Sequence, residues 1–137
     1  MKKLFIAAAF ILLTGIAFGQ TLQKGNLVGL HIVSLNLHPD VTLNQYLDFV
    51  IHKVVPEYEK NFPGIKYFIA KGIRGENENS FAYFVVFESE NVRNKYWGKE
   101  DVYTDIGTSA MEKMEPILTK LNELGTASTT YTDWLIQ

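Results

Sequence analysis

The chain has 137 residues, of which 47% are hydrophobic and 20% are charged, and these proportions are ordinary for one globular domain. Its formal charge of −2 argues against nucleic acid and against an anionic membrane surface as partners. The chain contains no cysteine, which excludes disulfides and thiol catalysis. Its stability must therefore come from a hydrophobic core and from association with other chains.

The first nineteen residues (1–19) have the pattern of a secretory signal peptide. Two lysines give a positively charged start, residues 4–18 are almost purely apolar, and Ala17 and Gly19 are small residues at the positions that a signal peptidase reads. An apolar run of about 15 residues is shorter than the roughly 20 that cross a bilayer. We therefore expect cleavage after Gly19 and export of residues 20–137 to the periplasm or the medium, without a membrane attachment.

After a polar leader, the first predicted element is a strand over residues 27–37, which is rich in Val, Ile and Leu on both faces. Pro39 ends it, because proline cannot donate to a strand ladder. A helix then begins at Thr42, where Gln45 completes a capping box, and hydrophobic residues recur at spacings of three and four. Pro56 lacks a backbone donor, so it predicts an interruption of this helix about one turn upstream.

A hairpin is predicted next, from a second strand over residues 65–73, a polar turn over residues 74–79 and a third strand over residues 81–87. Side chains alternate across a strand. In the third strand, Phe81, Tyr83, Val85 and Phe87 point to one face, and Ala82, Phe84 and Val86 point to the other. All seven side chains are apolar or aromatic. A strand that is apolar on both faces must be covered on both faces.

Two helical segments and a last strand complete the chain. Ser89 caps a short helix, and a longer helix is predicted to start at the capping box formed by Ser109 and Glu112. Gly125 is expected to end that helix as its C′ residue. Residues 126–136, which are dense in Thr, Tyr and Trp, then form the fourth strand.

The order of these elements, βαββαβ, predicts an α+β protein with the ferredoxin-like fold, in which one antiparallel sheet carries its helices on one face. The strands at 27–37 and 81–87 would be the central pair of this sheet. The open face would be largely hydrophobic, which is too much apolar surface to leave in water. We therefore expect a second copy of the chain to cover it, giving a homodimer.

The mature chain resembles the dimeric α/β-barrel superfamily, which includes the antibiotic-biosynthesis-monooxygenase-like and stress-responsive barrel proteins. The resemblance lies in the strand and helix at 27–62, a Phe-Pro-Gly-Ile turn at 62–65, and Val-Phe-Glu-Ser at 86–89, which leads into an Asn-Val-Arg-Asn-Lys-Tyr-Trp helix. It implies that two sheets pair into a barrel, and some members hold a ligand between sheet and helices. Members include cofactor-free monooxygenases, haem-degrading enzymes, muconolactone isomerases and proteins without known activity.

The sharpest candidate for chemistry is His31, because it should lie on a central strand. It could act as a general base or as a metal or haem ligand, or it could be a core histidine whose ring is hydrogen-bonded. The resemblance implies an Asn, Trp and His set, for which the chain offers Asn36, Trp97 and His31. His31 and Asn36 are an odd number of residues apart, so a regular strand sends them to opposite faces.

Three tyrosines, Tyr67, Tyr83 and Tyr103, are further candidates for lining a ligand cavity. The alternatives are a place in the dimer interface or ordinary packing of large aromatic rings. His38 and His52 are expected at the surface, and the three histidines form no recognisable metal motif. The sequence therefore predicts neither a metal nor a cofactor.

These observations favour an exported homodimer that binds a small apolar or aromatic molecule. The first alternative is a cofactor-independent enzyme resembling the monooxygenases or isomerases, with His31 and Trp97 in its pocket. The second alternative is a haem-binding protein. All three hypotheses use the same predicted cavity between helices and sheet.

Overall fold

A computed structural model describes residues 22–78 and 80–137, so the predicted signal peptide at 1–19 lies outside the described residues. Within them, no helix has the length and apolar character needed to cross a membrane. Strands and helices alternate in the predicted order. Their bounds are β1 (Leu27–Leu37), α1 (Leu43–Phe49), α2 (Val55–Asn61), β2 (Ile65–Lys71), β3 (Phe81–Phe87), α3 (Glu90–Tyr96), α4 (Asp105–Asn122) and β4 (Gly125–Leu135).

The strands form one antiparallel sheet in the order β2-β3-β1-β4. The central strands are β1 and β3, as the sequence predicts. This order, with a helical crossover between β1 and β2 and another between β3 and β4, is the ferredoxin-like arrangement. The predicted α+β ferredoxin-like fold is therefore confirmed.

All helices of the described residues pack on one face of the sheet. Leu27, Ile65 and Val85, one from each of three strands, share a buried cluster with Val54 and Met114 from the helical layer. The register of the strands places every second residue of each strand on this face. The core therefore lies between the helices and one side of the sheet.

The first helical segment is interrupted where Pro56 predicts it. A π-helical turn over Val50–Val54 separates α1 from α2, and the Val55 N–H donates to the Val50 carbonyl five residues back. Pro56 lies in the first turn of α2, where a missing backbone donor is tolerated. The π-helical turn keeps both Val50 and Val54 buried. The proline therefore changes the local helix type without exposing the hydrophobic residues that face the core.

The other face of the sheet carries no helix of the described chain. The even-numbered residues of β1 and β3 point to it, and they align with the even-numbered residues of β2 and β4. Phe68 and Trp134 are 46% and 57% exposed there. We call this surface the open face, and its large apolar side chains are Val28, Leu30, Ile32, Phe68, Phe84, Val86 and Trp134.

Two predicted helix boundaries are wrong. The long helix α4 begins at Asp105 rather than behind Ser109, because the Thr104 side chain caps it by accepting from the Gly107 N–H at 3.1 Å. Gly125 is not its C′ residue but the first residue of β4. A Cβ at Gly125 would come within 2.7 Å of the Asn36 carbonyl oxygen, so close strand pairing explains this glycine.

The hairpin between β2 and β3 also differs from its predicted bounds. The second strand ends at Lys71, two residues earlier than expected. The Gly72 N–H donates to the Ser80 carbonyl at 2.8 Å, and a backbone atom of Asn77 would lie 1.9 Å from a Cβ at Gly72. The connecting segment therefore folds back over Gly72, and this glycine begins a longer turn than the predicted one.

Candidate functional site

A cavity of about 460 Å³ lies between the helices and the helix-facing side of the sheet. Residues of all four strands and of the helical layer line it, and most of them are apolar or aromatic. Nine Phe, Tyr and Trp side chains belong to this lining, namely Tyr46, Tyr58, Tyr67, Phe81, Tyr83, Phe87, Trp97, Tyr103 and Tyr131.

The imidazole of His31 lies in this lining, between two tyrosine rings. His31 is the cross-strand partner of Tyr83 on one side and of Tyr131 on the other. Opposed residues on one face of a sheet bring their side chains together. The His31 ring centroid is 4.3 Å from that of Tyr83 and 4.9 Å from that of Tyr131, each at an interplanar angle of 13°.

This position controls the protonation of His31. Burial lowers the pKa of the imidazole below its usual 6.5, and the nearby carboxylate of Asp133 opposes part of the shift. The ring is therefore neutral at pH 7. Its Nδ1 atom is buried without a hydrogen-bond partner.

One end of the cavity is phenolic. The rings of Tyr58 and Tyr67 lie 4.9 Å apart, and those of Tyr67 and Tyr83 lie 6.3 Å apart. Burial raises the pKa of Tyr67 well above 10, and the neighbouring Tyr58, Tyr83 and Tyr103 hydroxyls raise it further. These phenols are therefore neutral, and a ligand at this end meets ring faces and hydroxyl groups rather than charges.

The other end carries charges that neutralise one another in part. The Arg93 guanidinium pairs with Asp101, and its Nε lies 3.4 Å from Asp133 Oδ2. The Tyr131 hydroxyl donates to Asp101, and this hydrogen bond is the main cause that lowers the pKa of the Asp101 carboxyl. Two carboxylates thus face one guanidinium, which leaves this end with a net negative charge.

The segment between α3 and α4 forms a short loop at this charged end. Its base is closed by a β-bridge between Trp97 and Tyr103. Glu100 and Asp101 have φ values of 56° and 60°, in the left-handed region that residues other than glycine seldom adopt. This conformation places Asp101 against both Arg93 and Tyr131.

The structure brings five of the six predicted ligand-binding residues together in one cavity. These are His31, Tyr67, Tyr83, Trp97 and Tyr103. Their role in binding stays a prediction.

Asn36 does not join them. It is exposed and lies on the open face, as its odd separation from His31 requires. The set of Asn36, Trp97 and His31 that the resemblance implies is therefore not assembled within the subunit. His38 and His52 lie exposed outside the cavity.

Sequence reasoning missed the charged residues of the site. Arg93 and Asp101 meet Asp133 only through the packing of the loop against β4, a contact between distant parts of the chain. The sequence does contain one indication that Asp133 belongs to the site. Asp133 is the one charged residue in the strand Gly125–Leu135, and its alternation with Tyr131 gives it the helix-facing side.

A haem group does not fit the histidine that the cavity offers. Among the described residues that line the cavity, His31 is the one histidine. Tyr83 and Tyr131 cover both faces of its ring, Nδ1 is buried, and Nε2 lies over Gly29. Nδ1 therefore cannot reach an iron, and the space at Nε2 is bounded by the Gly29 backbone, the Asp133 carboxylate and two tyrosine rings, which fits a small group better than a porphyrin. No group of three or more His, Asp or Glu side chains in the described chain is arranged to hold a metal ion.

Searches for similar proteins found likeness in structure only. No protein-family model matches the chain, and no curated protein matches it. One similar structure is SnoaB, a cofactor-independent oxygenase from Streptomyces nogalater, which is 8% identical with a TM-score of 0.49 over 83% of this chain and 95% of that one.

Two further structures show a comparable likeness. A NIPSNAP family protein of unknown function from Agrobacterium tumefaciens is 13% identical, with a TM-score of 0.49 over 84% of this chain and 93% of its own. A dimeric protein of unknown function with a ferredoxin-like fold from Bacteroides fragilis is 12% identical, with a TM-score of 0.41 over 82% and 98%. At such identities the likeness concerns the fold alone. The fold that the resemblance to the dimeric α/β-barrel superfamily implies for one subunit, a ferredoxin-like sheet with its helices on one face, is confirmed by the strand order of this chain itself.

Proposed function

We propose that the protein is an exported homodimer that binds a small, flat, apolar or aromatic molecule in the cavity between sheet and helices. The observation that carries this proposal is the cavity itself, with its volume of about 460 Å³ and its nine Phe, Tyr and Trp side chains. Ligand pockets in proteins commonly have volumes of roughly 300–1,000 Å³ and a mainly hydrophobic, aromatic lining with few polar groups.

The lining also indicates the shape of the ligand. Trp97 stacks on Phe62 with an interplanar angle of 19°, and His31 is held between two parallel tyrosine rings. Rings that are fixed by their neighbours present flat faces, and aromatic molecules pack well against such faces. The net negative charge at one end disfavours an anionic ligand.

The homodimer is proposed from the open face. Leu30, Phe84 and Trp134 place large apolar surfaces on a side of the sheet that no helix of the described chain covers. A two-fold axis on this face would bring the same side chains of two copies together, as isologous interfaces do. Burial of this surface supplies the favourable free energy of association.

Export is proposed from the sequence pattern at 1–19 alone. Expression of the full-length chain in a bacterium with an active secretory pathway tests it. The expected product is a chain that begins at Gln20 and is recovered outside the cytoplasm, as intact mass and fractionation would show. Recovery of the uncut chain in the cytoplasm would contradict the proposal.

The binding proposal is tested by filling the cavity. Thr129 lines the cavity and Thr119 is exposed on α4, so Thr129→Trp and Thr119→Trp form a matched pair. With naphthalene as the probe, we expect the affinity of the Thr119→Trp protein to equal that of the wild type. Thr129→Trp is expected to lower it at least tenfold. Equal affinities in both variants would place the bound probe elsewhere.

A second candidate function is favoured by the neutral imidazole of His31 in the lining. A neutral histidine beside a ligand can accept a proton when the nitrogen that faces the ligand carries the lone pair, and the oxygenase-like or isomerase-like hypothesis requires that tautomer of His31. Turnover of quinol substrates, followed by oxygen uptake, tests it. We expect His31→Gln to abolish any turnover while the matched surface variant His52→Gln retains it. Full activity of His31→Gln would refute the catalytic role.

A further inference from the structure

The site contains a second feature, at Gly29 on the central strand β1. Gly29 is buried, and Asp133 is its cross-strand partner on β4. A Cβ at this position would lie 2.9 Å from Asp133 Oδ1 and 3.2 Å from His31 Nε2. The backbone of Gly29 is not in the left-handed region. This glycine is therefore explained by the two side chains that lean over its α-carbon.

The two atoms over Gly29 are not paired with each other. Asp133 directs its other oxygen, Oδ2, to Arg93, and this pairing leaves Oδ1 for another partner. Both residues line the cavity, so the space between Oδ1 and Nε2 opens to a ligand. These two distances limit the separation of Oδ1 and Nε2 to about 6 Å, which two hydrogen bonds of about 3 Å to one bridging oxygen can span.

The hydrogen on the imidazole follows from the burial of Nδ1. This nitrogen has no hydrogen-bond partner, and an N–H group that is buried without an acceptor is costlier than a bare lone pair. The neutral ring therefore carries its hydrogen on Nε2. Over Gly29 the protein presents one donor, His31 Nε2–H, beside one acceptor, Asp133 Oδ1.

We propose that His31 Nε2 and Asp133 Oδ1 together bind one hydroxyl group of the molecule in the cavity, which makes the ligand a neutral alcohol or phenol. A hydroxyl oxygen accepts from Nε2–H while its O–H donates to Oδ1. A carboxylate is repelled by Asp133, and an ammonium group offers only donors to Nε2–H. This inference rests on the proposed binding function and adds the chemical class of the ligand.

The test compares three naphthyl probes on the mature chain by calorimetry: naphthalene, 2-naphthol and 2-naphthoate. One hydrogen bond to a charged acceptor corresponds to about tenfold in affinity or more. We therefore expect 2-naphthol to bind at least about tenfold more tightly than naphthalene and than 2-naphthoate. Equal binding of 2-naphthol and naphthalene, or tighter binding of 2-naphthoate, would overturn the proposal.

Two variants localise the effect. Asp133→Asn keeps the shape of the side chain, and Gly29→Ala adds a methyl group that must displace the Asp133 carboxylate from its place over residue 29. In both, the preference for 2-naphthol over naphthalene should fall to about one, whereas the exposed control His52→Gln should keep it. Retention of the preference in both variants would overturn the assignment to these atoms.

A crystal structure of the ligand-free protein separates this proposal from the binding function. If no probe binds, the proposed binding function fails. The hydroxyl subsite is then tested by whether an ordered water occupies the space between His31 Nε2 and Asp133 Oδ1. We expect an ordered water bridging His31 Nε2 and Asp133 Oδ1 in the wild type and its loss in Gly29→Ala. The absence of a bridging water in the wild type would overturn the hydroxyl subsite.

Discussion

Leu30 on β1 and Phe84 on β3 are cross-strand partners whose side chains lie on the open face of the sheet. Neither reaches the helical layer, because the register of the two strands gives that layer to their odd-numbered neighbours. The two central strands therefore contribute to two separate apolar surfaces. One surface forms the core and the cavity, and the other is the surface on which we propose that a second copy packs.

The first prediction concerns that association. Phe84→Glu puts a charge into the centre of the proposed interface, where its desolvation opposes dimer formation. We expect the wild type to sediment as a dimer at micromolar concentration and Phe84→Glu to sediment as a folded monomer. Ile73→Glu is the control, because Ile73 is 72% exposed in the hairpin turn and should leave the dimer intact. A wild type that stays monomeric at these concentrations would refute the homodimer.

The second prediction concerns pH. Because burial lowers the pKa of His31 in the folded state below 6.5, the unfolded chain binds this proton more readily than the folded chain. The contribution of His31 to the free energy of unfolding is fully present above pH 6.5, and it is lost as the pH falls towards the lowered pKa of the folded state. Urea denaturation between pH 7.5 and 5 should show this loss. His31→Gln should flatten the profile, whereas His52→Gln should keep it, and parallel profiles would contradict the burial of the imidazole.

The third prediction concerns a buried hydrogen bond of the core. The Tyr96 side chain is 1% exposed, and its hydroxyl donates to the Pro63 carbonyl at 2.9 Å. Tyr96→Phe leaves this acceptor without its partner, so we expect the free energy of unfolding to fall by about 1 kcal/mol. Tyr103→Phe is the matched control, since Tyr103 is 40% exposed and should change stability less. A larger loss in the control would contradict this account.

The fourth prediction concerns the loop at the charged end of the cavity. Asp101 joins the loop to Arg93 and to Tyr131, and its neighbour Glu100 shares the left-handed backbone without these contacts. Asp101→Ala should therefore release bound naphthalene several-fold faster, as line-shape analysis would measure. Glu100→Ala should leave the release rate unchanged. Identical rates in the two variants would show that the loop does not control exit.

Much of the fold follows from local signals in the sequence. The capping box of Thr42 and Gln45 is present, and Pro56 interrupts the helix as predicted. The prediction that the helix starts at Ser109 failed because Thr104 caps the helix earlier, and a capping motif inside a helix has no free N–H groups to satisfy. Local patterns identify possible caps, but tertiary packing selects among them.

The site was less accessible to sequence reasoning. Strand alternation alone placed His31 and Asn36 on opposite faces, and the structure agrees. The charged end depends on a loop that closes over β4, so the meeting of Arg93 and Asp133 leaves no local pattern in the chain. Gly29 is understood only once Asp133 is known to lie opposite it.

The most direct test of the binding function uses the two tryptophans of the chain. Trp97 lines the cavity and Trp134 lies on the open face, so a ¹H–¹⁵N spectrum contains one indole signal from each side of the sheet. Naphthalene in the cavity should shift the Trp97 indole signal, which Trp97→Phe would assign, and leave that of Trp134 in place. A shift of Trp134 alone, or of neither signal, would contradict a ligand cavity between sheet and helices.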